Sequence, residues 1–160
     1  MEQGRQQLSF DPPLTLLLLL LLVMTSCSWP RVVILEDTLT AEQHNDLGYV
    51  YETKGMDDLA EKEYALAVQK QESWHLPWFN RGNLAFKRGD YPRAEDYFRQ
   101  ALRCAPDNAD VMNNLANALL MQGRHGEARR MAEGALRIEN KEEYLDTLQA
   151  IRKRESDSPR

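Results

Sequence analysis

Small and large apolar residues return along residues 41–142 with a period of 34 residues and no gaps. Leu47-Gly48, Arg81-Gly82 and Leu115-Ala116 share the seventh and eighth places of three blocks, 41–74, 75–108 and 109–142. Gly55, Gly89 and Gly123 share the fifteenth place. Ala60, Ala94 and Ala128 share the twentieth, and Ala67, Ala101 and Ala135 the twenty-seventh. A period of this length marks stacked supersecondary units rather than a single irregular domain. Small residues at three of these places let two antiparallel helices approach closely. Tyr64 and Phe98 at the twenty-fourth place, and Trp78 at the fourth, are large enough to fill the space left opposite. The fifteenth-place glycines fall where a helix must end in a left-handed residue, which glycine adopts without strain.

Punctuation agrees with this register. Thr40 and Gln43 have the spacing of a capping box ahead of the first block. Pro92 follows Asp90-Tyr91 as a first-turn proline, and Pro106-Asp107-Asn108 stops one helix and caps the next. Beyond the third block, Tyr144, Leu145, Leu148 and Ile151 lie at helical spacing among charges. That predicts an amphipathic capping helix over 141–153, because a stacked array has an unburied face at each end. Residues 154–160 are expected to be disordered. Trp29-Pro30-Arg31 followed by Val32 to Leu35 is too apolar for a solvated linker. Two readings stand: it covers the open face of the first block, or it pairs with a partner.

These offsets resemble the tetratricopeptide repeat family, and the resemblance covers 41–142. The middle block carries the family pattern most fully, with Trp78, Gly82, Gly89, Ala94, Phe98, Ala101 and Pro106 in place. His44 and Met112 replace the fourth-place aromatic, Ala132 the twenty-fourth, and Glu72 and Asn140 stand where proline is usual. The resemblance implies an all-α fold: an α-α superhelical solenoid of three tetratricopeptide helix pairs plus a C-terminal capping helix.

It also implies where binding occurs. In the family the first helices line a concave surface, exposed mainly at the second, fifth, ninth, twelfth and thirteenth places. From those places Asn45, Tyr49, Phe79, Asn83, Phe86, Lys87, Asn113, Asn117, Leu120 and Met121 are the candidate groove for a protein or extended peptide segment. Aromatics there would act as anchors, and an amide can both donate to and accept from a peptide group. Phe79 and Phe86 have a competing role, packing on a neighbouring helix. Asn80 and Asn114, at the sixth place, either join the groove or bond between helices. Chaperone-binding members clamp a C-terminal carboxylate with Lys and Arg. The equivalent places here hold Asn45, Tyr49, Asp110 and Asn114, so an acidic chaperone tail is not the expected ligand.

The N-terminus changes the setting. Leu14 to Met24 is apolar except for Thr15 and shorter than the roughly 17–25 residues that cross a bilayer. It fits the core of a secretory signal peptide. Met24-Thr25-Ser26-Cys27 resembles the bacterial lipobox, although Met stands where Leu is usual three residues before the cysteine and Arg5 is the only basic side chain ahead of the apolar run. The resemblance implies cleavage after residue 26, lipid attachment at Cys27 and residues 27–40 as an anchored linker and N-terminal cap. Ser28 then points to the outer membrane of a bacterial envelope, facing the periplasm, rather than the inner. The alternative is an ordinary cleaved or an uncleaved apolar N-terminus, with Cys27 incidental.

Charge and chemistry narrow the function. The net charge is −5, with 20 basic and 25 acidic residues. Removing residues 1–26 takes away one Arg and two acids and leaves about −4, so a nucleic-acid partner is not expected. His44, His75, His125 and Cys104 share no metal-ligand spacing. His44 reads as a packed or hydrogen-bonded residue and Cys104 as a small buried hydrophobe. No catalytic pair, metal site or cofactor motif is found. The expectation is a non-catalytic, membrane-anchored adaptor serving an envelope assembly such as a pilus, secretion system or enzyme complex. The alternative is a self-assembling, homo-oligomeric envelope subunit.

Overall fold

The computed structural model describes residues 37–157. Residues 1–36, with Cys27 and Trp29 to Leu35 among them, lie outside the described residues, as do 158–160. Seven α-helices make up the described chain: α1 Ala41–Thr53, α2 Asp57–Lys70, α3 His75–Lys87, α4 Tyr91–Cys104, α5 Ala109–Met121, α6 His125–Ile138 and α7 Glu142–Asp157. Each packs against the helix before and after it; in addition α3 touches α5, and α5 touches α7. Odd-numbered helices therefore lie close together on one side of the array, which is the inner wall of an all-α superhelical solenoid.

Local chemistry sets the helix ends. The Thr40 hydroxyl accepts from the Gln43 N–H while Gln43 Oε1 accepts from the Thr40 N–H at 2.9 Å, a complete capping box. Asp90 caps α4, and Asn108 caps α5. Gly55, Gly89 and Gly123 have φ of 72°, 78° and 75°, the left-handed turn that ends α1, α3 and α5.

Inside each of the first two pairs the eighth-place residue sits under an aromatic from the second helix. A Cβ on Gly48 would lie 2.6 Å from the Tyr64 ring, and one on Gly82 2.4 Å from that of Phe98. Both rings are fully buried, and so are the alanines at the twentieth and twenty-seventh places. The third pair has Ala116 and Ala132 at the matching places, and both are buried. Met112 reaches towards Gly134 there, its Sδ 3.2 Å from where a Cβ would stand.

An ion-pair seam joins successive pairs at the twenty-first place. Glu61 on α2 accepts from Arg81 on α3 at 2.8 Å, and Glu95 on α4 accepts from Arg124 at the start of α6. At the third junction the sign is inverted: Arg129 on α6 pairs with Glu155 on α7 at 3.4 Å. That last pair goes with a correction at the C-terminus. The sequence predicts disorder from residue 154 onward, yet α7 runs to Asp157. The Glu155 pair and the Ser156 hydroxyl donating to the Lys153 carbonyl at 2.7 Å hold the last turn. Arg154 sits in that turn, where a cation suits the helix dipole.

Cys104 also departs from its expected burial. It is half-buried, and its Sγ lies 3.4 Å from the Glu72 carbonyl, which also accepts from Trp78 Nε1 at 3.0 Å. Glu72 stands at the place where the family has proline, so the α2–α3 turn is held by side chains of α3 and α4. His44 is buried, its Nδ1 2.7 Å from Glu63 Oε2 across α1 and α2, a hydrogen-bonded core histidine.

Candidate functional site

The inner wall is built from α1, α3 and α5, with α7 closing the series. Asparagines form its most regular feature. Asn80 on α3 donates to Asn45 Oδ1 on α1 at 2.9 Å, and Asn114 on α5 donates to Asn83 Oδ1 on α3 at 2.9 Å. The α5–α7 junction repeats the theme with weaker bonds, Asn117 to Thr147 at 3.5 Å and Asn113 to Glu143 at 3.4 Å. Sixth-place residues of α3 and α5 thus reach back to the preceding inner helix, one rung per junction. Each rung ties two inner helices together and so helps to fix the curvature of the wall.

This corrects part of the expected groove. Asn45 is only 5% exposed and Asn113 0%, so neither side chain presents itself to a ligand. Asn113 Oδ1 has no hydrogen-bond partner, an acceptor orphaned inside the wall. Phe79 and Phe86 also turn inward, and of their two roles packing is the one observed. Phe79 stacks at a tilt on Phe98 with centroids 5.9 Å apart, and Phe86 meets Tyr91 edge-on at 5.3 Å. Both are half-buried against the core, as is Leu120.

The remaining candidates line the surface. Tyr49 is 62% exposed and Met121 47%. Asn83 and Asn117 are half-buried, each with one amide atom committed to a rung, which leaves the other able to meet a peptide group. Lys87 is exposed and paired with Asp57 at 2.9 Å. Asp110, on the rim, accepts from Lys141 Nζ at 2.9 Å and from the Tyr144 hydroxyl. These two donors, Tyr144 first, hold its carboxyl below the usual carboxylate range.

Two clusters have no counterpart among the sequence-derived candidates. Arg81 lies over the Tyr97 ring, 4.1 Å from its centroid, and 5.3 Å from that of Trp78, while donating through Nε and Nη2 to Glu61 Oε1. Glu95, largely buried, accepts from Arg99, Gln122 and Arg124. Burial alone would raise the Glu95 carboxyl, but these donors outweigh it and hold the group below its ordinary value. The signal that could have found them is the recurrence of charge at the twenty-first place with the same period of 34. Both clusters tie helices together. Among the described residues, no group of three His, Cys, Asp or Glu side chains is placed to hold a metal ion. No described helix is long and apolar enough to cross a membrane.

Comparison with known proteins places this geometry. Residues 79–142 match a family model described as tetratricopeptide repeat. Human tetratricopeptide repeat protein 6 is 35% identical over 77 residues; the match covers 48% of this chain and only 15% of that protein. Among solved structures, the first TPR of Spaghetti (RPAP3), bound to the HSP90 peptide SRMEEVD, superposes with a TM-score of 0.71. It is 20% identical, covering 77% of this chain and 98% of that one. The second TPR domain of human RPAP3, in complex with the HSP70 peptide SGPTIEEVD, gives 0.68 at 21% identity, covering 70% and 94%. With the shared register, the left-handed glycine turns and these matches together, the described helices have the all-α superhelical tetratricopeptide repeat fold, and residues 79–142 match the model of that family.

Proposed function

We propose that this chain is a non-catalytic adaptor that holds a segment of a partner polypeptide against the inner wall of its repeat array. The observation that carries this reading is the wall itself. An exposed aromatic, Tyr49, and an exposed thioether, Met121, stand at its two ends. Between them run Asn83 and Asn117, half-buried amides fixed by their rungs. Apolar anchors with low rotamer entropy, separated by preorganised amides, suit an extended peptide. Two structures of the same fold are complexes with short peptides of HSP90 and HSP70, which supports a polypeptide segment as the ligand.

The finer setting rests on residues 14–28 alone: export, lipid attachment at Cys27 and tethering in a bacterial envelope, where the adaptor would serve a pilus, secretion or enzyme assembly. Cys27→Ala should then release the protein from membranes into the soluble fraction, and retention on membranes would remove the anchor from the proposal.

The adaptor reading is tested by photocrosslinking in cells from position 49 and, separately, from position 121, with position 96 on the exposed face of α4 as control. One discrete polypeptide captured from both wall positions and not from 96 supports it. Equal capture from all three positions, or from none, overturns it.

A further inference from the structure

The inner wall is unevenly charged. Residues 41–74 carry eight acidic and three basic residues, whereas 75–108 carry four and six. On α1 the contrast is complete, because Ala41–Thr53 contains Glu42, Asp46 and Glu52 and no Lys or Arg. Its single histidine is buried against Glu63. Further along the wall the charges are matched internally: Lys87 pairs with Asp57 and Asp110 with Lys141. Asp46 stands at the sixth place, where Asn80 and Asn114 each reach back to the inner helix before them. At that place α1 therefore carries an exposed acceptor instead of an amide. Three residues on is Tyr49, where the second and third repeats have the half-buried Asn83 and Asn117. Its ring is the most exposed of the large apolar side chains among the described residues, with Val50 beside it at 42%.

We infer that the α1 end of the wall is a docking surface for an extended, basic polypeptide segment in which Lys or Arg flanks an apolar side chain. This rests on the adaptor reading and names the class of partner. The apolar side chain packs on Tyr49, and the cations face the exposed Glu42 and Asp46; Glu52, half-buried, already accepts from the Tyr64 hydroxyl at 2.7 Å. An acidic tail of the kind bound by the two RPAP3 domains meets like charge here, and like-charge juxtaposition is how a surface rejects wrong partners. The apolar contact supplies affinity; the acids select sign and speed encounter.

The test is fluorescence anisotropy on the full chain with labelled synthetic peptides of repeating Lys-Leu-Ser, Gln-Leu-Ser and Glu-Leu-Ser. At low salt the lysine peptide should bind about tenfold more tightly than the glutamine peptide, and the glutamate peptide least. The preference should collapse near 1 M salt, where the Debye length is about 3 Å. Glu42→Gln with Asp46→Asn, both at exposed positions, should erase most of it. Asp96→Asn with Asp107→Asn removes the same charge elsewhere and should keep it. Tyr49→Ser should weaken the lysine and glutamine peptides alike. Equal binding of all three peptides, or equal loss of preference in both double variants, overturns the basic-segment proposal and leaves the adaptor reading standing. No binding by any peptide also overturns the proposal, and crosslinking from positions 49 and 121 then decides the adaptor reading separately.

Discussion

The Phe98 ring occupies the space that a side chain on residue 82 would need: a Cβ there would come within 2.4 Å of Cε1 and 2.6 Å of Cδ1. Two residues sixteen apart in sequence thus set how closely α3 and α4 approach. Mid-helix glycine costs roughly 0.5–1 kcal/mol relative to alanine, so helix propensity alone would favour Gly82→Ala. Overpacking a filled core costs about 1–3 kcal/mol, and here it acts on a fully buried ring with no room to retreat. Overpacking wins, and Gly82→Ala should lower the thermal midpoint by several degrees. Gly126 lies in the first turn of α6, and a methyl group added there would have nothing within 4 Å. Gly126→Ala should therefore raise stability by about 0.5–1 kcal/mol. Urea unfolding of both variants checks the pair, and the same sign for both would contradict the packing account.

The rungs of the inner wall make a second, opposed pair. Asn80→Leu removes the donor to Asn45 Oδ1, and Asn45 is buried, so its carbonyl is left unpaired. A buried unsatisfied group costs about 1–3 kcal/mol, and the variant should lose that much. Asn113 is the reverse case. Its Oδ1 is already orphaned, and its one bond, to an exposed Glu143, is long at 3.4 Å. Asn113→Leu, similar in shape, exchanges an orphaned acceptor for apolar contact and should be neutral or stabilising by about 1 kcal/mol. Chemical denaturation separates the two outcomes.

How much of this is legible in the sequence divides along physical lines. The helix pairs and their turns are, because the reasons are local or periodic: Gly82 needs a partner such as Phe98, Gly89 needs a positive φ, and Thr40 needs Gln43. The end of α7 is not, since it depends on Glu155 meeting Arg129 twenty-six residues earlier. The wall is half legible. The places that face inward can be named, but whether Asn45 or Tyr49 stays exposed is decided by what the next helix offers. Asn80 reaches back to cover Asn45, whereas α1 leaves Tyr49 uncovered. For Phe79 both roles can be stated, and the choice between them requires the position of Phe98.

The Arg81 cluster predicts that arginine and lysine differ there. A guanidinium can stack on Tyr97 while two of its N–H groups reach Glu61; an ammonium cannot do both. Arg81→Lys should cost about 1 kcal/mol by urea unfolding. A Tyr97→Leu background should shrink that cost, and an unchanged cost in both backgrounds would remove the stacking contribution.

Acid should act through Glu95. Its carboxyl is held below the ordinary value in the folded chain, where Arg99, Gln122 and Arg124 donate to it against the opposing effect of burial. In the unfolded chain it returns to about 4.3. The unfolded state then binds the proton first as pH falls, so the stabilisation from this group is fully present above the unfolded value. It is lost progressively as pH drops through the lower, folded one. Glu95→Gln removes this dependence. At neutral pH the variant should be less stable by about 1–2 kcal/mol, having exchanged a charge-assisted set of hydrogen bonds for a neutral one. Towards about pH 2 the gap should narrow as the wild-type carboxyl takes up its proton. Unfolding free energies of the two proteins across that range measure the gap directly, and a constant offset would show that the Glu95 carboxylate is not the group that acid removes.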